Sequence, residues 1–154
     1  MKNFFFIFLI FFWAIPSGFA QLKTYSFEEV EKLSQENPKP IVIFIHTSWC
    51  KYCKMMEHST FKNPEIITVL NDDFYFISLD AESKKEIIFN NHAFKFIPKG
   101  QNTGIHELAT TLATIDGEVV YPTITILAPD FSILFQKHSF LNAKGLIPIL
   151  EKMK

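Results

Sequence analysis

The chain has 154 residues, which suffices for one domain with a single hydrophobic core. Its formal net charge is −1, and its basic residues include no arginine and no run longer than the pair Lys84–Lys85. Nucleic acids and acidic membrane surfaces are bound through clusters of positive charge, so this distribution argues against both as partners.

The first 20 residues have the pattern of an export signal. An apolar run from Phe4 to Ala14 follows a positive start, and small residues then occupy positions −3 and −1 of a cleavage site after Ala20. We therefore predict a signal peptide over residues 1–20 and a periplasmic or secreted mature domain over residues 21–154. The alternative is an uncleaved membrane anchor, although the run is shorter than the ~20 residues that a spanning helix needs.

The first half of the mature sequence alternates helix and strand patterns. Ser26 and Glu29 form a capping box at the start of a helix that ends at Asn37. The consecutive apolar residues Ile41–Ile45 predict a strand buried on both faces, and a helical pattern resumes from Lys51.

A second helical segment and a second strand follow. Asn63 is a suitable N-cap, and Pro64 is a suitable first residue of a helix. The next predicted strand runs from Phe74 to Leu79 and is closed by Asp80.

Residues 82–103 depart from this alternation. Two short apolar stretches on either side of Asn90-Asn91 predict a small inserted hairpin, followed by a polar loop. A helix is then predicted over Ile105–Ala113, with His106 in its first turn.

The C-terminal third is predicted to form a two-stranded ribbon and a helix. Thr123–Ala128 alternates as a strand does, and Phe131–Gln136 is predicted to return antiparallel to it. Asn142 caps a final helix, in which Pro148 is expected to delay or kink the first turns.

Cys50 and Cys53, the only cysteines, lie where the first strand gives way to a helix. Unpaired N–H groups and the dipole at a helix start favour a thiolate, so Cys50 is the candidate nucleophile and Cys53, one turn inside, the candidate resolving thiol. The spacing also fits half a zinc site or a static disulfide. Zinc would need two further ligands, and neither the histidines nor the carboxylates show ligand spacing. We therefore prefer a redox dithiol.

Three motifs resemble those of the thioredoxin-like superfamily. They are W-C-K-Y-C-K at Trp49–Lys54, Asp80 at the end of a strand, and Y-P-T at Tyr121–Thr123 opening a later strand. The resemblance covers most of residues 24–154 and is nearest to exported thiol-disulfide interchange domains. It implies an α/β fold, a three-layer sandwich with a central mixed sheet, into which residues 82–103 are inserted.

The resemblance also implies an activity and a set of site residues. Cys50 and Cys53 would exchange disulfides with partner proteins without a bound cofactor, and another redox protein would supply or remove the electrons. Pro122 would be a cis proline packed over the cysteines, Tyr121 would offer backbone groups to a substrate strand, and Trp49 would cover the site. The alternative for Pro122 is a trans proline that merely starts an edge strand.

One departure from the superfamily concerns proton transfer. Thioredoxins commonly bury an aspartate in the strand before the nucleophile, paired with a lysine on the neighbouring strand. The corresponding residues here are Phe44 and Phe76. Glu57 and His46 are the candidates to replace this pair, and the alternative for each is a solvated or structural side chain.

Other residues near the motif have less specific roles. Lys51 and Tyr52 lie between the cysteines and are possible modulators of the thiols. His106, in the element before Pro122, is a further candidate near the site. An alternative function is a thioredoxin-fold copper chaperone or other binding module, with His46 or His106 as a third ligand beside the soft thiolates.

The inserted segment joins two elements that frame the active site in the resembled fold. Its large apolar groups are Phe89, Phe94 and Phe96. We hypothesise that residues 82–103 shape the choice of partner and leave the chemistry unchanged, because inserted loops on a rigid scaffold commonly carry specificity. The alternative is a packing flap without contact to substrate.

Overall fold

The computed structural model describes residues 21–154, so the predicted signal peptide lies outside the described residues. Within them no helix is long and apolar enough to cross a membrane. The helices are α1 (Phe27–Glu36), α2 (Lys51–His58), α3 (Pro64–Asp73), α4 (Glu107–Ala113) and α5 (Ala143–Lys152), with a 3-10 turn (Thr60–Lys62) between α2 and α3. The strands are β1 (Ile41–His46), β2 (Tyr75–Asp80), β3 (Ile87–Phe89), β4 (His92–Phe94), β5 (Phe96–Pro98), β6 (Gly104–His106), β7 (Thr114–Ile115), β8 (Glu118–Val119), β9 (Thr123–Leu127) and β10 (Ile133–His138).

A four-stranded sheet in the order β10-β9-β1-β2 forms the centre of the fold. β1 pairs parallel with β2 and antiparallel with β9, and β10 runs antiparallel to β9. This mixed sheet confirms the predicted fold class. Phe44 lies opposite Ser78, whereas Phe76 lies opposite Val42, so the two phenylalanines are not direct cross-strand neighbours.

Alternate residues of β1 point into two separate cores, which explains why consecutive residues of this strand are all buried. Ile41, Ile43 and Ile45 pack on the side of α1 and α4. Val42 and Phe44 pack on the side of α2, α3 and α5. Each fully buried side chain of this size contributes about 1.5–3 kcal/mol, and the two cores together make the predicted three-layer sandwich.

Two helices begin at the caps that the sequence indicates. The Ser26 hydroxyl accepts the Glu29 N–H at 3.2 Å, and the Glu29 carboxylate accepts the Ser26 N–H at 2.7 Å. These hydrogen bonds to Ser26 lower the pKa of Glu29. Asn63 caps α3, and Pro64 is the first residue of that helix.

Two boundaries in the C-terminal third differ from the prediction. α5 starts directly after Asn142, because the Asn142 side chain accepts an N–H of the first turn at 2.9 Å and holds that turn although Pro148 lies inside the helix. Phe131 belongs to the turn between β9 and β10, with a φ angle of 69°. The Asp130 carboxylate accepts an N–H two residues later at 3.0 Å and shapes this turn, so the return strand starts only at Ile133.

The inserted segment contains the predicted hairpin and the first strand of a second one. β3 and β4 pair around Asn90 and Asn91, whose φ angles of 50° and 59° suit a two-residue turn. β5 pairs with β6 to form a second hairpin, which the sequence pattern does not indicate. Gly104 is required there, because a Cβ atom at this position would overlap the Phe96 ring.

α4 therefore begins later than predicted. Ile105 lies in β6, and the helix starts at Glu107 after the N-cap His106. The His106 ring is fully buried; its Nδ1 accepts the Leu108 N–H at 3.2 Å, and its Nε2 lies 3.0 Å from the Lys85 carbonyl oxygen. His106 thus fixes the junction between the insertion and α4.

The β3–β4 hairpin packs at the end of the sheet remote from the cysteines. The buried Phe89 ring lies 5.0 Å from the Phe27 ring of α1 and 4.8 Å from the Phe131 ring, between centroids. Phe131 follows the end of β9 at which Leu127 pairs with Ile41, whereas the cysteines follow the other end of β1. The tip of the hairpin therefore packs on the α1 side of the fold and does not flank the cysteines.

Candidate active site

Cys50 and Cys53 form a disulfide, with an S–S distance of 2.02 Å and a Cα–Cα distance of 5.2 Å. Cys50 is the N-cap of α2, and its Sγ accepts the Cys53 N–H at 3.1 Å. The free N–H groups and the positive end of the helix dipole at this position stabilise a thiolate once the disulfide is reduced. Cys50 is 6% exposed and Cys53 is 0% exposed, so Cys50 is the more exposed of two buried cysteines.

The segment that carries Pro122 reaches the same end of the sheet. Thr123, the first residue of β9, pairs with Ile45 near the end of β1. The Tyr121–Pro122 peptide bond is cis, and Tyr121 packs against both hydrophobic cores. The structure thus brings together all three motifs that were singled out in the sequence: Trp49–Lys54, Asp80 and Tyr121–Thr123.

The Tyr121 hydroxyl is buried and has no hydrogen-bond partner among the described residues. Burial, together with the negative charges of Glu82 and Asp80, raises the pKa of Tyr121 to about 12. The phenol therefore stays protonated at neutral pH and keeps a hydrogen that it can donate.

Trp49 stands at the rim of the site and is 66% exposed. Its ring lies edge-on to the Tyr121 ring, with 6.2 Å between the centroids. The indole N–H donates to the Glu82 carboxylate at 3.1 Å. Glu82 opens the inserted segment and was not among the predicted site residues, because a contact between residues 33 positions apart leaves no local pattern.

Exposed apolar side chains lie on the two segments that carry the dithiol motif and the Tyr121–Thr123 motif. Tyr52 is 58% exposed, Met55 43% and Val120 40%. We call these three residues and Trp49 the apolar rim. Trp49 and Met55 also line a shallow depression of 420 Å³, whose other lining residues are basic or titratable: Lys51, Lys54 and His58.

His46 and Glu57, the candidates to replace the buried charged pair, are neighbours. His46 Nδ1 lies 3.7 Å from Glu57 Oε1, and His46 Nε2 lies 2.9 Å from Ser78 Oγ. The imidazole stacks on the Phe44 ring at 5.0 Å between centroids. Burial lowers the pKa of His46, although the negative charges of Glu57 and Asp80 act in the opposite direction. A neutral imidazole is therefore favoured at neutral pH.

Phe44 and Phe76 are linked through a third aromatic ring. Phe61 lies 4.8 Å from Phe44 and 4.9 Å from Phe76, between ring centroids. All three are buried in the core that also contains Cys53. Aromatic packing thus occupies this part of the interior, where an isolated charge would lack a partner.

The described residues give the copper-binding alternative no third ligand. Within residues 21–154 no group of three or more His, Cys, Asp or Glu side chains is placed to hold a metal ion. Both ring nitrogens of His106 contact backbone groups, and His46 contacts Ser78 and Glu57.

Residues 21–144 match the sequence profile of the thioredoxin-like DsbH family, described as proteins of unknown function, DUF255. The chain belongs to this family. Spermatogenesis-associated protein 20 of Homo sapiens is 37% identical to it over 60 residues, which are 39% of this chain. That match spans only 8% of the human protein, so this DsbH-family chain corresponds to a small part of the relative.

Solved structures share the fold of this DsbH-family protein. A structure described as a DsbH oxidoreductase matches with a TM-score of 0.61 at 16% identity, over 90% of each chain. A thioredoxin from Thermus thermophilus matches with a TM-score of 0.61 at 18% identity, over 86% of each chain. These matches confirm the thioredoxin-like fold that the sequence motifs predicted.

Proposed function

We propose that this DsbH-family protein is a thiol-disulfide oxidoreductase that exchanges disulfides with partner proteins. The observation that carries the proposal is the Cys50–Cys53 pair at the N-terminus of α2 in a thioredoxin-like fold. The pair combines the more exposed Cys50, at the helix terminus that stabilises a thiolate, with the fully buried Cys53, to which it is bonded. The description of a structural neighbour as an oxidoreductase supports the same reaction class.

In the reductive direction, the Cys50 thiolate attacks one sulfur of a partner disulfide. A bond forms between Cys50 and that sulfur, the partner's S–S bond breaks, and the second partner sulfur leaves and takes a proton. Cys53 then loses its proton and attacks the Cys50 sulfur, which re-forms the disulfide and releases the first partner sulfur as a thiol. The partner gains two electrons and two protons, and a second redox protein reduces the Cys50–Cys53 disulfide again.

We assign the partner-binding role to Trp49, Tyr121 and Pro122, which lie at the same end of the sheet as the disulfide. Trp49 supplies exposed apolar surface beside Cys50. Tyr121 and Pro122 precede β9 and offer backbone groups to an extended partner segment.

We assign to Glu57 and His46 the role of accepting the proton that Cys53 releases. Glu57 follows Cys53 by one helical turn and lies on the same face of α2. The neutral His46 ring beside it can share the proton that leaves the buried Cys53 thiol. Lys51 and Tyr52, exposed on the first turn of α2, are assigned a weaker influence on the thiolates, because solvent screens their interactions.

We also propose that the reaction takes place in the periplasm or a secretory compartment. The export pattern of residues 1–20 supports this location, and a dithiol can remain oxidised there. Sequencing of the mature N-terminus is expected to find Gln21. Retention of the apolar run would contradict cleavage after Ala20.

The test of the mechanism is the order in which the two thiols react. After reduction and brief treatment with iodoacetamide near neutral pH, mass spectrometry should find the label mainly on Cys50, since Cys53 is fully buried. Cys53→Ser should accumulate mixed disulfides with partner proteins, and Cys50→Ser should not. Labelling mainly at Cys53, or trapping by Cys50→Ser, would overturn the assignment.

The direction of electron flow follows from the equilibrium potential in glutathione buffers. A value of about −270 mV indicates a reductase, and a value of about −120 mV indicates an oxidant.

A further inference from the structure

The depression beside Trp49 contains a row of basic side chains along one face of α2. Lys51, Lys54 and His58 follow one another at intervals of three and four residues, so they share that face and span about 10 Å along the helix axis. All three are exposed. Within residues 21–154 the lining of the depression includes no carboxylate and no residue of the Tyr121–Thr123 segment. The row is therefore a positively charged surface, separate from the segment that precedes β9.

The two lysines of this row have no partner of opposite charge within the described residues. Neither Lys51 nor Lys54 takes part in an ion pair there. The acidic side chains of the adjoining segments have other contacts: Glu57 lies 3.7 Å from His46, and Glu82 accepts a tryptophan N–H at 3.1 Å. The positive charge of the row is therefore left for a binding partner to complement.

We propose that this row binds an acidic segment of the partner protein, in which aspartate or glutamate residues lie within about three positions of the cysteine that Cys50 attacks. The inference rests on the proposed oxidoreductase function and specifies its class of partner. Lys51 directly follows Cys50, so the row begins beside the reactive cysteine and leads away from it along α2. An extended chain advances about 3.3 Å per residue, and about three residues therefore cover the length of the row.

Contacts of this kind govern the choice of partner more than the strength of the complex. Pairs of exposed charges act mainly on the rate of association, and salt weakens them. Each such pair changes a rate or an affinity by about threefold. The proposal thus predicts a salt-sensitive preference among partners, while the thiol exchange at Cys50 and Cys53 stays the same.

The experiment compares two synthetic peptides, each closed by an internal disulfide, that differ only in having glutamate or glutamine beside their cysteines. The full chain reduces them with dithiothreitol as the electron source, and the ratio of the two kcat/KM values is measured after subtraction of the uncatalysed rate. Because both peptides react at the same protein sulfur, the ratio cancels any effect of a substitution on the thiolate. Lys54→Gln and Lys51→Gln test the row. Lys62→Gln is the matched control, because Lys62 is also exposed but lines a different cavity, beside Phe61.

The parent protein is expected to prefer the glutamate peptide about tenfold at low salt and to lose this preference in about 0.5 M sodium chloride. Lys54→Gln and Lys51→Gln should each lower the preference about threefold, and Lys62→Gln should leave it unchanged. No preference at low salt, or a preference that both substitutions leave intact, would overturn the inference while the proposed function stands. An equal preference for dithiodiglycolate over hydroxyethyl disulfide would also overturn it, because a small anionic disulfide would then suffice.

A binding measurement decides the inference even if the protein reduces neither peptide, a result that would refute the proposed function. In the full chain with Trp13→Phe, Trp49 is the sole tryptophan and lines the depression, so its emission reports whether the row is occupied. The glutamate peptide, with serines in place of its cysteines, should change this emission at about tenfold lower concentration than the glutamine peptide. Lys54→Gln should shrink that difference about threefold. Equal half-saturation concentrations for the two peptides would contradict an acidic partner segment.

Discussion

The β3–β4 hairpin should stabilise the fold chiefly through Phe89. This side chain is 5% exposed, and its ring packs against the Phe27 and Phe131 rings at 5.0 and 4.8 Å between centroids. Phe89→Ala removes both aromatic contacts and leaves a cavity, a change that costs about 3–5 kcal/mol in protein cores. Because a hairpin at the surface can partly collapse into the space, we expect about 3 kcal/mol and a fall in Tm of roughly 10 °C.

Ile88 provides the control for this prediction. It neighbours Phe89 in the same strand but points outward and is 54% exposed. Ile88→Ala should change the free energy of unfolding by about 0.5 kcal/mol or less. Urea unfolding followed by circular dichroism measures both variants, and the midpoint of Phe89→Ala should fall without a change in slope. A loss below about 1 kcal/mol for Phe89→Ala, or equal losses for the two variants, would refute the packing role.

Ser26 and His46 give two further expectations. Ser26→Ala should lower the free energy of unfolding by about 1 kcal/mol, because the Glu29 N–H loses its acceptor; an unchanged urea midpoint would contradict the capping box. Stability should also fall as the pH drops below 6.5, since burial holds the pKa of folded His46 below that value and the unfolded chain therefore binds more protons. Unfolding curves between about pH 7 and pH 5 should show a smaller decline for His46→Gln than for the wild type, and equal declines would argue against this role of His46.

The parts of the fold that sequence reasoning predicted correctly rest on local contacts. The capping box of Ser26 and Glu29 and the turn at Asn90-Asn91 each involve residues at most three positions apart. The central strand could be recognised because burial on both faces leaves a continuous apolar run. The dithiol could also be recognised from local sequence, because its chemistry depends on the helix start that directly follows that strand.

The parts that were missed depend on contacts across the chain. β6 was assigned to a helix because its pairing with β5 crosses a polar loop that has no strand pattern. The position of Phe44 opposite Ser78 follows from the register of two strands, which single-sequence periodicity does not fix. The acceptor for the Trp49 indole was missed for the same reason, because Glu82 reaches it only after the chain has passed through α2, α3 and β2.

The tip of the inserted segment should stabilise the fold without influencing partner choice. A deletion that joins Ala81 to Gly104 would remove Phe89 together with the Glu82–Trp49 hydrogen bond, so that lost partner selectivity and lost stability could not be told apart. A point variant separates them. Phe89→Ala should show a large loss of stability and an unchanged ratio of insulin reduction to hydroxyethyl disulfide reduction at a temperature where it remains folded. If Phe89→Ala altered this ratio, the hairpin tip would have to act on partner choice, and a role in packing alone would be wrong.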